Sequence, residues 1–149
     1  HGLISGDIKH LAEPALVLTP PDKATEADDG LLTASEIARL KLNAEWVILS
    51  ACNTAHAESA GAEGLSGLAK AFFYAGSRAL LVSHWPVESQ SATELTRGMF
   101  EALKTNPAMG RSEALRRSMF KLAANDNHPH WAHPAFWAPF VVVGEGARR

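Results

Sequence analysis

An α/β fold, with a mostly parallel sheet flanked by helices on both faces, is what this sequence predicts, on three observations. Four short apolar runs alternate along the chain with four amphipathic segments of helical periodicity. Two of the runs, Trp46 to Ser50 and Ala79 to Ser83, are apolar at almost every position rather than at every second one, the pattern of strands covered on both faces. A chain of 149 residues, 46% hydrophobic and 20% charged, has the size and balance of one domain with its own core.

Each element has a local reason. Ala15 to Thr19 (ALVLT) is short, rich in branched residues and stopped by Pro20-Pro21, so it reads as a strand or hairpin arm. The polar stretch that follows reads as a solvated loop ending in a turn at Asp29-Gly30. In "LTASEIARLKL", Thr33 or Ser35 is a candidate N-cap, and Ile37, Leu40 and Leu42 recur on one face of a first helix. The strand Trp46 to Ser50 leads toward Cys52. "EGLSGLAKAFFYAG" places Leu65, Leu68, Ala69, Phe72 and Phe73 at helical spacing, with Gly76 as the residue that closes the helix. Its small residues Gly64 and Gly67 fit close approach to a neighbouring backbone. After the strand Ala79 to Ser83, two amphipathic helices are expected over Glu88 to Leu103 and Arg111 to Ala123, separated by a break containing Pro107 and Gly110. Pro139 to Gly144 (PFVVVG) supplies a last strand, and Gly144 to Arg149 a frayed end.

Composition narrows the function classes. A net charge of −2 and a pI near 6.4, with no basic block, offer no electrostatic footprint for nucleic acid or an anionic membrane. The longest apolar runs fall far short of the roughly 20 residues that cross a bilayer. One cysteine excludes an intrachain disulfide, and no secretory segment is evident, so a cytoplasmic location is expected. Because residue 1 is His rather than Met, further strands of the domain are expected to precede this chain, and residues 1 to 149 alone to have little activity.

In sheets of this kind the sites sit at the C-terminal ends of the strands. Ser50-Ala51-Cys52 follows one such strand and Ser83-His84-Trp85 the next. From the residues alone Cys52 reads either as a small core side chain or as a nucleophile. A nucleophilic thiol, mostly protonated at neutral pH, needs an imidazole beside it, and the same imidazole can then protonate a leaving amine. His1 and His84 are the rival bases. An acyl intermediate also needs oxyanion donors, for which the backbone N–H groups of Gly2 and Cys52 are the candidates.

"HG" at 1–2, "DGLLTASEIARLKL" at 29–42, "VILSACNTA" at 47–55, "GAEGLSGLAKAFFYAGSRALLVSHWPV" at 61–87 and "HPAFWAPFVVVG" at 133–144 together resemble the C-terminal part of a CHAT domain. The resemblance runs in order over nearly the whole chain and implies a single caspase-haemoglobinase-like domain over residues 1–149, related to caspases and separase. It implies a cysteine endopeptidase with a dyad of His1 and Cys52, no metal and no cofactor, acting on a protein or peptide substrate. It also implies tetratricopeptide repeats upstream. A catalytically silent CHAT scaffold that binds a peptide or partner protein is the alternative. Around "LVSHWPVESQ" the chain resembles separase-type relatives, which carry an acid directly after the Trp to receive a basic side chain; here that position is Pro86. His84, Trp85, Pro86 and Glu88 are therefore taken as substrate-binding, with Trp85 as an apolar wall and Glu88 as the nearby acid.

Other signals carry less. His128, His130 and His133 in "HPHWAHP" lack a Cys or carboxylate that would complete a ligand set. His56 reads as a solvated loop residue. "EGLSG" is no nucleophile elbow, since the required second Gly is Leu68, so Ser66 is a helix residue. No Gly-rich phosphate loop follows any strand, which argues against a nucleotide-binding module.

Overall fold

The computed structural model describes residues 2–3, 11–25, 29–49 and 67–147. They form an α/β arrangement of small sheets and helices in two compact units, His1–Trp85 and Pro86–Arg149.

In the first unit, strands β1 (Gly2–Leu3), β2 (Ala15–Val17) and β3 (Leu31–Thr33) make an antiparallel sheet in that order. Gly2 lies opposite Leu16, and Ala15 and Val17 lie opposite Thr33 and Leu31. This part of the sheet differs from the parallel arrangement expected. These strands are two and three residues long, and both pairings are antiparallel. The Asp29-Gly30 turn forms as expected. Gly30 takes φ +77°, its carbonyl accepts from Leu18 and Thr19 N–H, and a Cβ there would lie 2.6 Å from the Thr19 carbonyl oxygen.

Helix α1 (Ala34–Arg39) follows β3 without a break. Thr33 is its N-cap: Glu36 N–H donates to Thr33 Oγ1 (3.3 Å), and Thr33 N–H donates to Glu36 Oε2 (2.8 Å), a reciprocal capping box. The Ser35 N–H and hydroxyl both donate to Glu13 Oε2 at 2.8 Å, which ties the helix start to the segment before β2. Only Ile37 of the expected apolar face is fully buried; Leu40 and Leu42 fall beyond the helix and are exposed. The helix stops because the chain finds another partner: Leu42 N–H donates to the Ala75 carbonyl, and Ala44 O accepts from Arg78 N–H, each at 2.9 Å.

Those bonds meet the end of α2 (Gly67–Tyr74). Gly76 adopts φ +97°, Ser77 N–H reaches the Phe72 carbonyl and Gly76 N–H that of Phe73, both at 3.0 Å. This is the Schellman closure expected of a Gly at that position. Strands β4 (Val47–Ile48) and β5 (Ala79–Ser83) pair in parallel, and all five β5 residues are buried.

In the second unit, α3 (Ser89–Thr105) packs on α4 (Arg111–Ala123) through Leu95, Met99, Ala114, Leu115 and Ser118, and is followed by 3₁₀ turns at Pro129–Ala132 and Pro134–Phe136 and by strand β6 (Phe140–Gly144). The helices approach closely at Gly98, where Ser118 Oγ donates to the Leu95 carbonyl at 2.6 Å. The first turn of α4 has no side-chain cap; its Ser112 N–H donates instead to the Gly146 carbonyl (3.0 Å), and Arg111 Nη1 to the Glu145 carbonyl (2.8 Å).

Candidate functional site

The site is built on the ends of β4 and β5. Val47 lies opposite Leu80 and Ile48 opposite Leu81, and Leu49 N–H donates to the Leu81 carbonyl at 2.9 Å, which carries the ladder one residue further. Parallel strands end at the same sheet edge, so the strand that leads in sequence to Cys52 and the strand that leads to His84 and Trp85 run to a common edge. Cys52 and His1 themselves, with His56, Gly64 and Ser66, lie outside the described residues. Gly2 is held on the other sheet, in β1.

Burial changes abruptly where β5 ends. Ser83 is buried, whereas His84, Trp85 and Pro86 are exposed, Trp85 at 40% of its surface.

Glu88 occupies the N-cap position of α3, but its side chain makes no cap. Its carboxylate Oε2 accepts from the indole Nε1–H of Trp131 at 2.8 Å, and its main-chain carbonyl accepts from Ser91 Oγ and Ala92 N–H, each at 3.0 Å. Trp131 is 1% exposed, and a buried indole N–H requires an acceptor. Trp131 is the residue that sequence reasoning missed. Its burial need was legible in its type, but a partner 43 positions away left no local signal.

The three late histidines have structural partners. The His128 ring stacks on Trp131 with centroids 4.0 Å apart and planes 15° apart, and its Nε2 lies 3.4 Å from Gln90 Nε2. His130 stands edge-on to Phe136 at 5.2 Å, and His133 Nδ1 accepts from Ala135 N–H at 3.2 Å, capping a 3₁₀ turn. Among the described residues no group of three or more His, Cys, Asp or Glu could hold a metal.

The charged side chains of α3 and α4 form surface networks. Glu113 accepts from Arg116 and Arg117, whose hydrogen bonds hold its carboxyl down at about 2. Glu94 is lowered mainly by its hydrogen bond from Arg97, a guanidinium that also pairs with Glu101. These groups are open to solvent, so they organise a face rather than a reactive centre.

A protein-family model described as the CHAT domain matches residues 1–145. The chain belongs to the CHAT domain family. CHAT membership carries a caspase-like, peptidase-related fold, in keeping with the α/β elements observed. Curated relatives include tetratricopeptide repeat protein 28 of Mus musculus, 28% identical over 118 residues covering 79% of this chain and 5% of that protein. The protein of the same name in Homo sapiens is 27% identical over 118 residues, covering 79% of this chain and 4% of its own length. This CHAT chain thus spans about a twentieth of the relatives it matches. No solved structure matches it significantly. Among the described residues no helix is long and apolar enough to cross a membrane.

Proposed function

We propose that this CHAT domain is a caspase-like cysteine endopeptidase acting on protein substrates. The observation that carries the reading is the parallel β4–β5 pairing, which runs the strand preceding Cys52 and the strand preceding His84-Trp85 to one sheet edge. Family membership supports it, as does the presence of both His1 and Cys52 in the chain. In the proposed reaction His1 takes the thiol proton of Cys52, and the thiolate adds to the scissile carbonyl. The Gly2 and Cys52 N–H groups stabilise the oxyanion. The amine leaves with the proton from His1. Water, deprotonated by the same imidazole, then hydrolyses the thioester and restores the thiol. His84, Trp85, Pro86 and Glu88 line the substrate site. The protein acts in the cytoplasm beside a tetratricopeptide-repeat region.

A second reading has its own support: the curated relatives carry a repeat name and no peptidase name, which favours a silent CHAT scaffold that binds a peptide or partner protein. Mass spectrometry of new protein N-termini separates the two. Full-length protein and its Cys52→Ala variant are compared in a host proteome. Cleavages that vanish with Cys52→Ala are expected; identical profiles, together with a Cys52 that resists a thiol-directed peptide probe, would overturn the peptidase reading.

A further inference from the structure

Two residues at the start of α3 grip one aromatic stack. Glu88 accepts from Trp131 Nε1–H at 2.8 Å, while Gln90 meets His128 at 3.4 Å, and the His128 and Trp131 rings lie face to face at 4.0 Å. Trp131 is buried, so its N–H has no water to turn to, and the bond to Glu88 is charge-assisted. Glu88 is held at its main chain as well, through Ser91 and Ala92. Its second carboxylate oxygen accepts no hydrogen bond among the described residues, and the residue is exposed. One oxygen is thereby anchored and the other presented to solvent in a set orientation.

We propose that Trp131 is a positioning residue, which through its hydrogen bond to Glu88 fixes the Pro86–Glu88 stretch and its carboxylate for substrate binding. The proposal rests on the reading of His84 to Glu88 as a substrate-binding segment. A group that orders a binding segment before substrate arrives lowers KM without touching the bond-breaking step. Loss of the indole donor therefore raises KM and leaves kcat in place.

The test uses full-length protein, a fluorogenic peptide built from its Cys52-dependent cleavage sites, and the variants Trp131→Phe, Glu88→Gln, Glu88→Ala and Trp131→Phe/Glu88→Ala. Trp131→Phe keeps an aromatic ring for the His128 stack and removes the donor. It is expected to raise KM about tenfold with kcat within about twofold of the parent, a loss in the range of one charge-assisted hydrogen bond. Glu88→Gln retains an acceptor oxygen and is expected to lose less. The double variant is expected to be no worse than the more damaged single one, because both remove the same bond. An unchanged KM in Trp131→Phe, with cleavage intact, overturns the proposal and leaves the peptidase reading standing. If nothing is cleaved in a Cys52-dependent way, the peptidase reading falls. The proposal is then decided by binding of the Cys52→Ala protein to a positional-scanning peptide array: weaker binding on adding Trp131→Phe supports it, and unchanged or absent binding overturns it.

Discussion

Gly98→Ala tests the close approach of α3 and α4 in the second unit. A Cβ at Gly98 would lie 2.5 Å from Ser118 Oγ and 3.4 Å from Ser118 Cβ. Ser118 is buried, and its hydroxyl is committed to the Leu95 carbonyl at 2.6 Å. If Ser118 stays, the helices must separate, and overpacking of this kind costs about 1–3 kcal/mol. If Ser118 rotates, a buried hydroxyl loses its acceptor, at about 1–3 kcal/mol. Against either stands the gain of about 1 kcal/mol from replacing Gly by Ala inside a helix. The net expectation is a loss of about 1 kcal/mol, read by urea denaturation followed by circular dichroism. Removing the obstacle reverses the sign: in a Ser118→Ala background, Gly98→Ala should be neutral or stabilising by up to about 1 kcal/mol, for a coupling of up to about 2 kcal/mol. The reasoning is refuted if Gly98→Ala is as stable as the parent, or if it loses the same amount with and without the Ser118 hydroxyl.

Two further outcomes are local. Thr33→Ala removes the acceptor of the capping box at α1 and should cost about 1 kcal/mol, with Thr33→Ser recovering most of it; equal denaturation midpoints for Thr33→Ala and the parent would refute the cap. Glu113 should titrate near 2 by carboxyl-carbon NMR, because Arg116 and Arg117 donate to it. Its folded value lies below the ordinary 4.5, so its contribution to stability is present above that unfolded value and is lost as pH falls toward 2. The contribution is small and weakens with salt, since the pair is exposed. An ordinary midpoint for Glu113, or one that Arg116→Gln leaves unmoved, would show that the two arginines do not hold it.

What was legible in the sequence is what neighbouring residues decide among themselves. Thr33, one of the two N-cap candidates, caps α1, and Gly76 closes α2 through bonds to Phe72 and Phe73. Helix α4 and strand β5 run over the residues expected, Arg111–Ala123 and Ala79–Ser83, because breakers bound them and their patterns are unambiguous. Strand β3 was hidden because Leu31 to Thr33 also suit the approach to a helix, and only pairing with β2 makes them extended. Leu40 and Leu42 continue the helical spacing of α1, yet the Leu42 N–H prefers the Ala75 carbonyl, a choice no local pattern contains. The candidate site divides along the same line. The strand ends were readable from two apolar runs, whereas the Glu88–Trp131 bond spans 43 residues and had to be seen.

That bond changes what Glu88 can offer. An arginine fork is best met by both oxygens of a carboxylate, with two parallel N–H donors. At Glu88 one oxygen already accepts from the Trp131 indole, yet each carboxylate oxygen has two lone pairs, as at Glu113, where Oε1 accepts from both Arg116 and Arg117. A single-donor group, whether an ammonium, a hydroxyl or an amide, needs only the remaining oxygen. The indole is neutral and leaves the negative charge in place, so Glu88 keeps its attraction for cations, and the indole bond restricts the directions from which a further donor can approach. Pro86, which has no acid to add at the position after Trp85, leaves this one oriented oxygen as the nearest acidic contact in the segment. Under the proposed peptidase reading, substrate choice turns on how Trp131 aims Glu88 as much as on the charge that Glu88 carries.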